Sequence, residues 1–135
     1  MRLRRLFKRG LRIASIAVLV ASSAAVYAGT IRAEQAADHV GEVMTVCGQV
    51  VSATHLTRSR GNPTFLNLDK PHPRQIFTIL IWGSDRAKFD KPPEQAFKNK
   101  DLCVTGRIRE YRGKPEIVVH DPKQIELDKR PTGKE

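Results

Sequence analysis

Cysteine and aromatic side chains are scarce in this 135-residue chain: two cysteines, one tryptophan and two tyrosines. Two cysteines cannot staple a disulfide-dense scaffold. The four histidines (His39, His55, His72 and His120) show none of the short ligand spacings used by zinc, so no metal site is nominated. There is no nucleophile elbow and no phosphate-cradling glycine loop. Ser59, in a basic loop, has no evident base partner, and clustered carboxylates of the kind that metal-assisted phosphodiester cleavage needs cannot be assembled from well-placed positions. No catalytic residues and no cofactor are therefore expected, and the chain is not read as an enzyme.

Acidic residues are also few, 14 against 24 basic ones for a net charge of +10. That imbalance is local. Residues 1–28 hold no acid and six bases (Arg2, Arg4, Arg5, Lys8, Arg9, Arg12), and the remainder carries only about +4. Between Asp38 and Asp128, 14 bases face 12 acids, so charge alone is weak evidence for a polyanionic partner. What is present is 40% apolar and 28% charged residues over a length suited to one domain, the composition of a folded globular chain.

The amino terminus has the three-part layout of an export signal: a cationic stretch to Arg12, an apolar run from Ile13 to Ala28, and small residues at its end. That run of about 16 residues is shorter than the roughly 20 of a spanning helix. Cleavage is expected after Ala28, with Ala25 as the second site; the alternative is an uncleaved anchor holding residues 13–28 in the inner membrane. Arg4-Arg5-Leu6-Phe7-Lys8 partly matches a twin-arginine signal, and no cysteine lies near the cleavage site to mark a lipoprotein. The expected location is periplasmic or secreted, with membrane contact only through an uncleaved segment. In such a compartment Cys47 and Cys103 are expected to pair, closing a loop of 56 residues worth roughly 4 kcal/mol on a chain-entropy argument, the alternative being two separate buried thiols.

The mature part reads as five strands and one short helix. Residues 29–41, polar and alanine-rich, are expected to be a linker or short helix. Strands are predicted over Val43–Ala53, Phe65–Asp69, Ile76–Trp82, Leu102–Tyr111 and Glu116–His120 from β-branched content and alternation. Pro92 and Pro93 are expected to open a helix over Glu94–Lys98, with Phe89 and Phe97 packing down, and Arg112-Gly113-Lys114-Pro115 is turn chemistry. The domain boundaries are thus 1–28 signal, 29–41 linker, 42–128 domain and 129–135 charged tail. Two hairpins are alike: Val46-Cys47-Gly48-Gln49-Val50 leads to Gly61-Asn62-Pro63-Thr64-Phe65-Leu66, and Val104-Thr105-Gly106-Arg107-Ile108 to Gly113-Lys114-Pro115-Glu116-Ile117-Val118. The mid-strand glycines permit the bend a small barrel needs.

On these residues, together with Phe77-Thr78-Ile79-Leu80-Ile81-Trp82-Gly83, the stretch from about Val40 to Ile125 resembles OB-fold domains of the tRNA anticodon-binding type, in particular small exported bacterial OB-fold proteins labelled as nucleic-acid binding. The resemblance implies an all-β fold with one short helix, a five-stranded Greek-key OB barrel preceded by a signal helix. It also implies that the first and fourth strands are neighbours, so that Cys47 and Cys103 form an outward cross-strand bridge with Cα atoms about 4.4 to 6.8 Å apart, and no farther than about 7 Å.

In this family the ligand lies across the second and third strands, and single strands need rings to stack on and cations for phosphates. The candidates are Phe65, Trp82 and Tyr111 as platforms, with Arg58, Arg60, Arg107, Arg112 and Lys114 as cations; Phe65 matches the position at which the anticodon-binding relatives stack a base. The expected partner is single-stranded nucleic acid or another extended anion, bound by a monomer, weakly and with strong salt dependence. The rival is an envelope adaptor barrel binding a protein or small ligand. It expects Phe65 buried, and the arginines scattered or paired with carboxylates.

Overall fold

The computed structural model describes residues 17–19 and 28–130; most of the expected signal segment, its helix included, and residues 131–135 of the tail lie outside these. In chain order the elements are β1 (Gly29–Arg32), a 3-10 helix (Ala33–His39), β2 (Val43–His55), β3 (Thr64–Leu68), β4 (Phe77–Ile81), α1 (Gly83–Arg86), α2 (Pro93–Ala96), β5 (Asp101–Arg107), β6 (Arg109–Tyr111), β7 (Lys114–Val118), a 3-10 turn (Pro122–Gln124) and β8 (Ile125–Leu127). The fold is mostly β. Its strands lie in one sheet in the order β6-β7-β4-β3-β2-β5-β8, with β1 beside β2.

The long strand β2 organises the sheet by changing partners. Val43 to Gln49 pair antiparallel with β5, and Val50 to His55 with β3, with a register shift between Val50 and Ser52. β3 and β4 are antiparallel, while β4 and β7 run parallel because the segment between them carries the helices and the β5–β6 strands.

Among the described residues eight strands stand where the pattern predicts five. β1 is a short addition, β8 stands where a strand remnant is expected after Pro122, and the predicted fourth strand, Leu102–Tyr111, is divided at Ile108 into β5, which pairs with β2, and β6, which pairs with β7. Ile108 is the pivot because its backbone leaves the ladder: its N–H donates to Glu42 O at 2.9 Å, its carbonyl accepts from Gly41 N at 2.7 Å, and its side chain is fully buried. The hydrogen-bonded path is therefore open, with its ends at β6 and β8.

Alternation puts Val46 and Val50 of β2, Leu66 and Leu68 of β3, Phe77, Ile79 and Ile81 of β4, Leu102 and Val104 of β5, and Ile117 of β7 in one buried cluster. The mid-strand glycines sit where chains come closest. A Cβ on Gly106 would stand 2.7 Å from Ile117 Cγ2, and one on Gly48 3.0 Å from the Asp69 carboxylate.

Residues 29–41 are not a free linker. β1 adds a parallel edge to β2, from Gly29 opposite Met44 to Arg32 opposite Cys47, and the 3-10 helix places Ala33 and Ala36 in the core cluster. Small side chains are what let the helix lie so close. The connection after β4 follows expectation more closely. Pro93 opens α2, and Phe89 and Phe97 pack on the core edge to face, 6.1 Å apart.

Cys47 and Cys103 are bonded, directly opposed on β2 and β5, with Cα atoms 4.0 Å apart. The bridge lies outside the core cluster, as its parity predicts, yet it is not open to solvent on both sides: Cys47 is fully buried. Arg130 reaches over it, with Nη2 3.3 Å from Cys47 Sγ and 3.7 Å from Cys103 Sγ, and is itself held by the Asp128 carboxylate at 2.9 Å. Among the described residues no helix is long and apolar enough to cross a membrane.

Candidate functional site

The face of the β3–β4–β7 segment that points away from the core carries Phe65 and Asn67 on β3, Thr78 on β4, and Lys114 and Glu116 on β7. Together with Thr54 and Leu56 at the end of β2, His72, Pro73 and Gln75 before β4, and Tyr111 and Arg112 at the β6–β7 turn, they line a cleft of about 580 Å³. Phe65 reaches this face because its neighbours Thr64 and Leu66 point inward. It sits between Thr54 and Leu80 in the sheet, half-buried and outside the core cluster.

The turn that presents Tyr111 and Arg112 is a two-residue hairpin with Arg112 (φ 50°) and Gly113 (φ 75°) in the left-handed region, the conformation that matches strand twist. Glycine adopts it freely; for Arg112 it costs on the order of 1 kcal/mol. The Arg112 guanidinium lies over the Tyr111 ring, 5.3 Å from its centroid, and Tyr111 is 54% exposed.

On the cleft floor, Thr78 Oγ1 donates to Asn67 Oδ1 and Asn67 Nδ2 donates to Ser52 Oγ, each at 3.0 Å. Lys114 Nζ donates to the carbonyls of Pro73 (2.9 Å) and Gln75 (2.8 Å), tying the segment before β4 to the hairpin. Glu116, only 4% exposed, accepts from Arg109 Nε and Nη2, both at 2.7 Å.

The structure thus brings Phe65, Tyr111, Arg112 and Lys114 together and leaves the other four candidates elsewhere. Trp82 is half-buried and packs on the loop after β2, where a Cβ on Gly61 would stand 2.9 Å from its ring; it holds that loop instead of lining the cleft. Arg58 and Arg60 are exposed in the same loop but do not line the cleft, because the turn closed by Asn62 N–H to Ser59 O carries them past its rim. Arg107, at the far end of β5, donates to Gly41 O. Asn67 and Thr78 were missed by sequence reasoning. They carry a legible signal, since each is a polar residue between apolar ones and the two are opposite in register.

A second polar cluster lies beyond the cleft. Asp85 of α1 accepts from Lys88 Nζ at 2.7 Å and pairs with His120 Nδ1 at 2.8 Å, and Lys88 also donates to His120 O at 2.9 Å. Lys88 first, then His120, holds the Asp85 carboxyl below its ordinary 3.8, against the opposing effect of burial. Arg86 likewise lowers Glu94 from 4.5, and Arg130 lowers Asp128 from 3.8. A carboxyl whose folded pKa is depressed stabilises the fold above its unfolded pKa, and that stabilisation is lost as pH falls through the folded value. The thermal midpoint is therefore expected to fall on acidification from about pH 5 toward pH 2. The Asp85→Asn, Glu94→Gln double variant is expected to lose less over the same range, as calorimetry at a series of pH values would read.

The fold and cleft define a mostly-β domain with an aromatic-edged recess on one sheet face. No family model and no curated protein matches the chain. Among solved structures it is similar to a chain assigned as an aspartyl-tRNA synthetase from Leishmania major Friedlin (11% identity, 82% of this chain and 22% of that one, TM-score 0.46). It is also similar to the asparaginyl-tRNA synthetase of Entamoeba histolytica (19% identity, 76% and 24%, TM-score 0.48) and to the aspartyl-tRNA synthetase of the same organism (19% identity, 67% and 19%, TM-score 0.42). The chain spans about a quarter or less of each of those proteins.

Proposed function

We propose that this chain is an exported OB-fold protein that binds single-stranded nucleic acid across the β3–β4–β7 cleft, with Phe65 and Tyr111 as the surfaces on which bases stack. The reading of the barrel is supported by β2 pairing with both β3 and β5, by the parallel β4–β7 ladder, and by the bend at Ile108 that carries one strand from β2 to β7. The five strands of the barrel are then β2, β3, β4, β5 with β6, and β7. Export is supported by the amino-terminal pattern and by the Cys47–Cys103 bridge, which suits an oxidising compartment.

The observation that carries the functional reading is Phe65. An aromatic ring turned out of the core cluster and only partly buried, in a recess with a second, exposed ring on its rim, suits a flat ligand. Stacking on one such ring contributes about 1–3 kcal/mol per base. Phe65→Ala is accordingly expected to weaken binding of a labelled single-stranded oligonucleotide at low salt by about tenfold or more without lowering the thermal midpoint by more than a few degrees. An unchanged affinity in the variant, or wild-type binding no tighter than that of a charge-matched unrelated protein, would refute the reading.

A further inference from the structure

We infer that the cleft holds a segment of one or two nucleotides by its bases, and is not a groove that tracks a strand by its phosphates; this rests on the nucleic-acid reading above. The argument starts from where the cations are. Of the five nominated from the sequence, Arg58 and Arg60 lie off the cleft, Arg107 is turned to Gly41 O, and Lys114 is aimed at two backbone carbonyls. Arg109 is neutralised by Glu116. Among the described residues, Arg112 remains as the cleft-lining cation without a hydrogen-bonded partner, and it lies over the rim tyrosine.

The walls offer what a base takes. Phe65 supplies a face, and the Asn67–Thr78 pair supplies polar edges. The edge of a base carries both donors and acceptors for such amide and hydroxyl groups, whereas a phosphodiester only accepts. Size agrees: about 580 Å³ falls within the roughly 300–1,000 Å³ of small-molecule sites. Grooves that follow a strand over an OB fold cover about 4–16 nucleotides.

The test uses the purified protein with labelled oligo-dT and oligo-U of one, two, four, eight and twelve nucleotides, titrated at 50 and 200 mM salt. One engaged cation gives a slope of about −0.7 in log affinity against log salt, a loss of roughly threefold between those concentrations, whereas five give roughly a hundredfold. The expected result is the threefold loss, with affinity levelling off by two or three nucleotides apart from the statistical gain of longer probes. Arg58→Ala with Arg60→Ala is expected to leave dinucleotide affinity within twofold. Affinity that keeps climbing to twelve nucleotides with the steep salt loss, or a tenfold loss in the double variant, overturns this inference and leaves nucleic-acid binding standing. Absence of binding by either series at every length overturns the functional reading itself.

Discussion

Replacing both cysteines, Cys47→Ala with Cys103→Ala, is expected to destabilise the domain by about 4 kcal/mol, which for a domain of this size lowers the thermal midpoint by roughly 15–30 °C. The estimate follows from the 56-residue separation of the bridged residues: the unfolded chain regains the freedom that closing so long a loop removes. The two residues are directly opposed in a continuous β2–β5 ladder from Val43–Arg107 to Gln49–Asp101. A small addition comes from Cys47, whose buried sulfur is lost to alanine. Calorimetry of the two proteins side by side reads the difference, and a loss below about 1 kcal/mol would mean that the unfolded chain retains enough structure to make the constraint redundant.

What the sequence made legible follows from period-two patterning. Strands with one apolar parity, such as Leu66 and Leu68 against Phe65 and Asn67, announce both their existence and their faces, whereas the cross-strand placement of the cysteine pair follows from the resemblance, which makes the first and fourth strands neighbours. Four features were hidden for physical reasons. Trp82 and Phe65 look alike in sequence, and only the path of the loop after β2 decides that one ring is covered by Gly61 and the other faces the cleft. Lys114 reads as a free cation because its partners, two backbone carbonyls, are set by loop closure rather than by composition. The break at Ile108 is invisible because its cause is the backbone of Gly41 and Glu42, more than sixty residues away. Residues 29–41 read as a linker or short helix; the helix is there, but its place in the core was hidden because alanine carries almost no hydrophobic signal, although a methyl group is what a close helix contact requires.

That last point makes the second large effect. Ala36→Asp is expected to destabilise the domain by on the order of 3–5 kcal/mol, the penalty for a carboxylate left without a partner in an apolar interior. Ala36 is fully buried, in the same cluster as Val46, Ile79 and Ile117, and its helix packs against β2, β4 and β7. Aspartate is too short to carry its charge out to water along its own stem, as a lysine or arginine would. Ala37→Asp, one residue on at an exposed position, is the control and should change stability by no more than about 0.5 kcal/mol. If both substitutions prove equally mild in denaturant melts, residues 29–41 are only loosely attached, and the core is closed without them. If Ala36→Asp alone is severe, the 3-10 helix is an integral wall of the domain. β1, which starts at Gly29, leads directly into that wall.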